Sequence, residues 1–170
     1  MTSKHSTEQS ILDVTETDIV QIGVIVNNLD RTLNALTALG LGPFSSPQTV
    51  KHPCARVQGK QASYAINLAC AQQGAVQLEL IEYHSGTTIQ KDFLDQQGEG
   101  LHHILFQVKD IDNSMKKMTD RGLRILQQDY FVGGGGMAYL EGDDLGGIVI
   151  ELVQYPEVID PEIGLRYQSR

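Results

Sequence analysis

The residues of this sequence best able to do chemistry are a glutamine, a histidine and two glutamates set in apolar strands: Gln21, His103, Glu79 and Glu151. His103 is the second of two adjacent histidines in the run Gly98-Glu99-Gly100-Leu101-His102-His103-Ile104-Leu105-Phe106-Gln107-Val108. Its glycine-bounded entry and β-rich core predict a strand. Alternation along that strand sends His102 to an apolar face with Ile104, Phe106 and Val108, and His103 to the other face with Leu105 and Gln107. Glu79 and Glu151 each stand in the middle of an apolar strand, where a carboxylate is costly to bury unless it is paired or binds a metal.

The elements that position these four residues follow from an internal duplication. Gln21 to Asp30 aligns without a gap on His103 to Asp112, 82 positions later, and Gln21 falls on His103. Identities fall at Ile22/Ile104, Val26/Val108, Asp30/Asp112, Thr37/Thr119, Gly40/Gly122 and Leu41/Leu123. Val76 to Tyr83 aligns on Ile148 to Tyr155, 72 positions later, with Glu79 over Glu151. Each half opens on a strand with a polar residue and closes on a strand with a carboxylate. Leu78 and Leu80, or Ile148, Ile150 and Leu152, then face a helix, and the two glutamates face the opposite side. An amide, an imidazole and two carboxylates at equivalent places on that side form a four-ligand cluster.

The expected fold is α+β, with two tandem βαβββ modules forming a curved mixed sheet around a central cleft. Residues 1–17 read as a mobile tail, 18–84 as the first module, 85–100 as a linker with a short helix, 101–155 as the second module and 156–170 as a C-terminal tail. Asp30 and Asp112 are the expected helix caps, with Met115 and Met118 turned to the core. Residues from Pro43 to Pro53 read as irregular, and Ala62 to Ala71 as a strand. The glycine run Gly133 to Gly136 has no helix start after it, so it reads as a hairpin turn and not as a phosphate loop.

The duplicated βαβββ pattern, the Gly-Leu-His-His-Ile segment and the closing Gly-Gly-Ile-Val-Ile-Glu-Leu-Val resemble the vicinal oxygen chelate superfamily over roughly residues 18 to 155. Its members include glyoxalase I, methylmalonyl-CoA epimerase, extradiol dioxygenases and bleomycin or fosfomycin resistance proteins. The resemblance implies that Gln21, Glu79, His103 and Glu151 hold a divalent metal ion, with Zn, Ni, Co, Mn and Mg all compatible with the donor set. It also implies that Glu151 is the catalytic base, that Glu79 is a second carboxylate on the opposite substrate face, and that the chain forms a homodimer. The dioxygenases use two histidines and a glutamate, and Gln21 breaks that triad.

Within the family, the glutathione-binding arginine of glyoxalase I corresponds to Ile25 and its asparagine to Tyr83, which argues against glutathione. Thr88 to Leu94 leading into Gly98 to Ile104 is closer to the epimerase, although residues 43–78 hold no Asp or Glu. That acid-free stretch carries Lys51, His52, Arg56 and Lys60, and Lys51, Arg56 and Lys60 are the expected contacts for an anionic small molecule. The expected activity is therefore a metal-dependent epimerase or isomerase acting on an acyl-CoA-like or small carboxylate substrate. A glyoxalase-like lyase using another thiol and a metal-free small-molecule binding protein are the alternatives.

Composition narrows the rest. A formal net charge of −8 disfavours nucleic acid as a partner. No apolar run approaches the roughly 20 residues needed to span a bilayer. The polar N-terminus lacks a signal-peptide core, and Cys54 and Cys70 are too few for a disulfide framework, so the expected setting is cytoplasmic.

Overall fold

The strand that closes each half of the chain carries apolar side chains two residues apart, and these pack against a helix on the outside of the sheet. The structure, a computed structural model, describes residues 18–159 and 164–169. The expected N-terminal tail, 1–17, lies outside the described residues. The elements are β1 (Gln21–Val26), α1 (Leu29–Ala38), β2 (Gln48–Val57), β3 (Lys60–Gln73), β4 (Val76–Gly86), α2 (Ile89–Gln97), β5 (Gly100–Gln107), α3 (Ile111–Thr119), β6 (Arg124–Phe131), β7 (Gly136–Glu141), β8 (Val149–Gln154) and β9 (Tyr167–Gln168). The fold is mixed α+β, with a curved sheet and few helices. No helix among the described residues is long and apolar enough to cross a membrane.

Strand order is β2-β3-β4-β1-β5-β8-β7-β6-β9, and β2 also pairs with β6, so the first eight strands close on themselves. β1 runs parallel to β4 and β5 parallel to β8, while β1 and β5 meet antiparallel. On this ring the β1–β5 seam and the β2–β6 seam stand diametrically opposite. Outside the ring, Leu78 and Leu80 pack with Leu29, Leu33 and Leu36 of α1. Ile150 and Leu152 pack with Ile111, Met115 and Met118 of α3. Burial of each full leucine or isoleucine contributes roughly 1.5–3 kcal/mol, so these outer layers fix which face of the sheet is left for chemistry.

Helices α1 and α3 are capped two residues before the expected aspartates. Asn28 accepts from the Arg31 N–H at 2.8 Å, and Asp110 accepts from the Asn113 N–H at 2.9 Å. Asn28 and Asp110 hold extended backbone angles suited to a cap, whereas Asp30 and Asp112 lie in the first turn, where a carboxylate still favours the positive helix end. The segment expected to be irregular up to Pro53 is already strand from Gln48. Pro53 is accommodated because the β2–β3 register shifts between His52 and Ala55, so the ladder does not need its missing N–H. Residues 164–169 fall within the expected C-terminal tail, yet they carry β9, which pairs with β6.

Candidate active site

Register alone brings the four polar residues of the duplication to one face. Glu79, Gly23 and His103 are cross-strand partners on one rung. Gln77, Gln21, Leu105, Glu151 and Tyr139 form the next. In-register partners share a face, and residues two apart along a strand share it too, so both rungs point inward. Gly23 makes room for the histidine: a Cβ there would lie 1.9 Å from His103 Cε1 and 2.3 Å from Nε2.

The His103 ring lies across that glycine with Nε2 2.9 Å from Glu151 Oε2 and 3.6 Å from Glu79 Oε2. His103 has no exposed surface. Although they touch, His103 Nε2 and Glu151 Oε2 make no hydrogen bond of normal geometry, and both atoms are buried. Gln21 donates from Nε2 to Gln77 Oε1 at 2.6 Å, which leaves the amide oxygen as its other end. Tyr139 packs edge-on to His103, and its hydroxyl is held well above its ordinary value by burial and by the Glu151 charge it faces.

The adjacent histidine departs from strand alternation. Gly23 pairs with His103 but Val24 pairs with Leu101, so His102 is the extra residue of a β-bulge. The bulge turns both rings toward each other, Nδ1 to Nδ1 at 3.0 Å, instead of onto opposite faces. Burial, reinforced by the neighbouring His103, pushes His102 down to about 3, so it stays neutral. It can then accept the His103 Nδ1–H, which commits the lone pair of a neutral His103 to Nε2, on the carboxylate side.

Burial, with Glu151 adding and His103 opposing, pushes the Glu79 carboxyl up to about 7. For His103, burial is the largest influence and lowers its value, but Glu151 and Glu79 together outweigh it and the net shift is upward. Between its ordinary value of 4.5 and about 7, Glu79 keeps in the fold a proton that the unfolded chain has lost. The folded chain binds more protons there, so metal-free stability falls as pH rises through that window, and the His103 shift acts in the same direction. Denaturant titration of chelator-treated protein is expected to show a decline on the order of 2–3 kcal/mol across it relative to Glu79→Gln, and equal pH profiles for the two would contradict the assignment.

These side chains line one wall of a cavity of about 420 Å³, reached by Gln21, Glu79, Tyr139 and Glu151. Of the three cations expected to meet an anionic ligand, Lys51 lines this cavity. Arg56 and Lys60 do not: both are exposed, Arg56 beyond the Pro53 bulge that resets alternation and Lys60 at the β2–β3 turn. The residue of that stretch that is buried in the wall is His52, and it pairs with Asp129 of β6 at 3.1 Å. Asp129 is the one carboxylate of β6, but it follows Gln127 and Gln128 and not an apolar run, so it lacked the signal that marked Glu79 and Glu151.

Among the described residues, no group of three histidine, cysteine or carboxylate side chains stands in a metal-coordinating arrangement. The donors nevertheless suit a divalent ion. Two ligands at right angles, each roughly 2.1 Å from one ion, lie about 3 Å apart. The His103 Nε2 to Glu151 Oε2 separation is close to that, and these are buried atoms lacking hydrogen-bond partners.

A family model described as the glyoxalase/bleomycin resistance protein/dioxygenase superfamily matches residues 20–140. An uncharacterized protein of Bacillus subtilis, YqjC, is 29% identical over 91 residues, 52% of this chain; the match spans 65% of that relative's length. Methylmalonyl-CoA epimerase from Mycobacterium tuberculosis superposes with a TM-score of 0.58 at 20% identity, covering 91% of this chain and 95% of that one. A methylmalonyl-CoA epimerase in complex with methylmalonyl-CoA and NH4+ gives 0.56 at 26% identity, with 84% and 97% covered. A variant of the Streptomyces coelicolor epimerase in complex with 2-nitronate-propionyl-CoA gives 0.58 at 26% identity, with 85% and 99% covered.

Proposed function

The chain belongs to the glyoxalase/bleomycin resistance protein/dioxygenase superfamily, and on that premise we propose that it is a divalent-metal-dependent epimerase or isomerase. Its substrate is a thioester or small carboxylate with an acidic α-proton, and its two halves, 18–84 and 101–155, are tandem βαβββ modules. The observation that carries this reading is the cluster of Glu79, His103 and Glu151, the last two buried, with His103 Nε2 2.9 Å from Glu151 Oε2 and 3.6 Å from Glu79 Oε2. Gln21, through its amide oxygen, completes the set of residues that would hold the ion. An ion held there would supply Lewis acidity toward a substrate carbonyl oxygen.

The chain's own groups do the rest. Glu151 takes the α-proton as general base, and the neutral Tyr139 hydroxyl holds it in place. His102 fixes the tautomer of His103 from behind. Lys51 draws an anionic substrate toward a cavity whose floor is acidic. A glutathione-dependent lyase is less well supported, because Ile25 is fully buried among Ala55, Tyr64 and Ile81 and offers no cation. Likeness to epimerases solved with acyl-CoA ligands supports a CoA thioester as the first substrate to try.

The test is deuterium wash-in from D2O to the α-carbon of methylmalonyl-CoA, followed by proton NMR. The expected result is exchange that depends on added divalent metal and stops on chelation. Binding of the thioester without metal and without exchange would contradict the enzyme reading and favour sequestration.

A further inference from the structure

The cavity has a second buried acid–base pair, at the β2–β6 seam across the ring from the β1–β5 seam. His52 lies on β2 and Asp129 on β6, the two strands that close the ring, while His103 and Gln21 flank the β1–β5 seam on its far side. Both members are almost fully buried, with His52 Nδ1 3.1 Å from Asp129 Oδ2. The same carboxylate oxygen accepts from the Tyr64 hydroxyl at 3.2 Å, and Asp129 Oδ1 has no partner.

The ring is clamped on two sides. Tyr64 stacks on His52 at 4.2 Å with planes 7° apart, and Tyr167 meets it at 4.2 Å with planes tilted by 45°. With Nδ1 committed to Asp129, Nε2 is the nitrogen left to a ligand, and His52 and Tyr167 both line the cavity. Burying a carboxylate with one oxygen unpaired costs stability that a purely packed wall would avoid. An imidazole with one nitrogen oriented by a carboxylate and the other open to a cleft is the arrangement of a proton-transfer group.

We propose that His52, oriented by Asp129, is the second proton-transfer residue of this cavity, acting on the substrate face opposite Glu151 in place of Glu79, which meets the same His103 Nε2 as Glu151. This rests on the α-proton reading above and gives it a stereochemical outcome, inversion. In one direction the Glu151 carboxylate takes the α-proton, the bonding electron pair passes into the enolate, and protonated His52 delivers its Nε2 proton to the other face of the same carbon. Glu151 ends protonated and His52 neutral, and solvent restores both. For the mirror substrate the two exchange roles. Asp129 is a positioning residue that holds the Nδ1–H tautomer.

The experiment follows single epimers of methylmalonyl-CoA in D2O with the metal-loaded full chain, scoring α-hydrogen exchange and inversion separately. His52→Gln is expected to keep Glu151-driven exchange on one epimer near the wild-type rate while inversion falls by at least about 100-fold. Asp129→Asn should slow inversion and shift the His52 tautomer, read by imidazole 15N NMR. Inversion at the wild-type rate in His52→Gln would overturn the assignment, as would parallel loss of exchange and inversion for both epimers in a variant whose melting temperature is unchanged.

If His52→Gln does not fold, the wild-type 15N spectrum decides: Nδ1–H with an unprotonated Nε2 upholds the assignment, and an Nε2–H tautomer overturns it. If the wild-type protein exchanges neither epimer, the α-proton reading fails for this thioester. The His52 assignment for this thioester then falls with it, whereas an Nε2–H tautomer in a wild-type protein that does exchange would overturn His52 alone.

Discussion

Gly23→Ala is expected to remove divalent-metal binding from a chain that still folds. The new methyl group would sit 1.9 Å from His103 Cε1 and 2.4 Å from Nδ1, inside the ring's own volume. Gly23 is not among the glycines with positive φ, so alanine is acceptable to the backbone and the conflict is entirely with the imidazole. The ring must leave the space between Glu79 and Glu151, because the strand under it is pinned on one side by β4 and on the other by β5. Overpacking of this kind costs about 1–3 kcal/mol, partly offset by the roughly 0.4–1 kcal/mol that alanine recovers by restricting the unfolded chain.

Losing a group that merely supports a ligand lowers metal affinity 10- to 100-fold, and displacing the ligand itself should exceed that. Calorimetric metal titration alongside thermal melting checks both statements. Undiminished affinity in a folded Gly23→Ala protein would show that His103 does not ligate from this position.

Glu151→Gln is expected to lower α-proton exchange by about 10²- to 10⁴-fold, the usual contribution of a positioned general base. The amide keeps the shape of the side chain at the centre of β8, next to Tyr139 and His103, so the sheet should survive. What it loses is the charge that raises Glu79, holds up Tyr139 and favours protonated His103. Two secondary signs are therefore expected in the metal-free variant: the Glu79 carboxyl moves down from about 7, and the His103 imidazole loses part of its upward shift. Side-chain NMR titration reads both, and isotope exchange reads the main effect. A variant that exchanges the α-proton at the wild-type rate would remove Glu151 from the role of base.

The duplication carried most of what the sequence could say about this site. Aligning Gln21 on His103 and Glu79 on Glu151 placed four polar side chains on one face, and strand register brings the same four to the inner surface. The helix-facing leucines and isoleucines were legible for the same reason, since period-two patterning assigns every second residue once one face is known. Even the true caps obey the repeat: Asn28 and Asp110 stand 82 positions apart, like Asp30 and Asp112. Choosing between the two pairs required knowing which residue has extended backbone angles.

Other features depend on events that alternation and composition do not encode. A one-residue bulge puts His102 beside His103, against the strict two-residue period. Closure of β2 on β6 joins His52 to Asp129 across 77 residues of chain, so neither residue signals the other locally. Tyr167 reaches the cavity from a segment that reads as a tail, because only two residues of it pair with β6. The acid-free stretch from 43 to 78 suggested a cationic patch, yet only Lys51 of the three expected cations meets the cavity.

The central claim is that Gln21, Glu79, His103 and Glu151 hold one divalent ion at the β1–β5 seam. It is tested most directly by Mn2+ binding to chelator-stripped protein, followed by electron paramagnetic resonance. The prediction is one ion per chain, displaced by Zn2+, Ni2+ or Co2+, with binding abolished in His103→Ala and weakened but retained in Glu151→Gln, in proteins that still melt cooperatively. Full binding in either folded variant, or no binding by the wild-type chain, would contradict it.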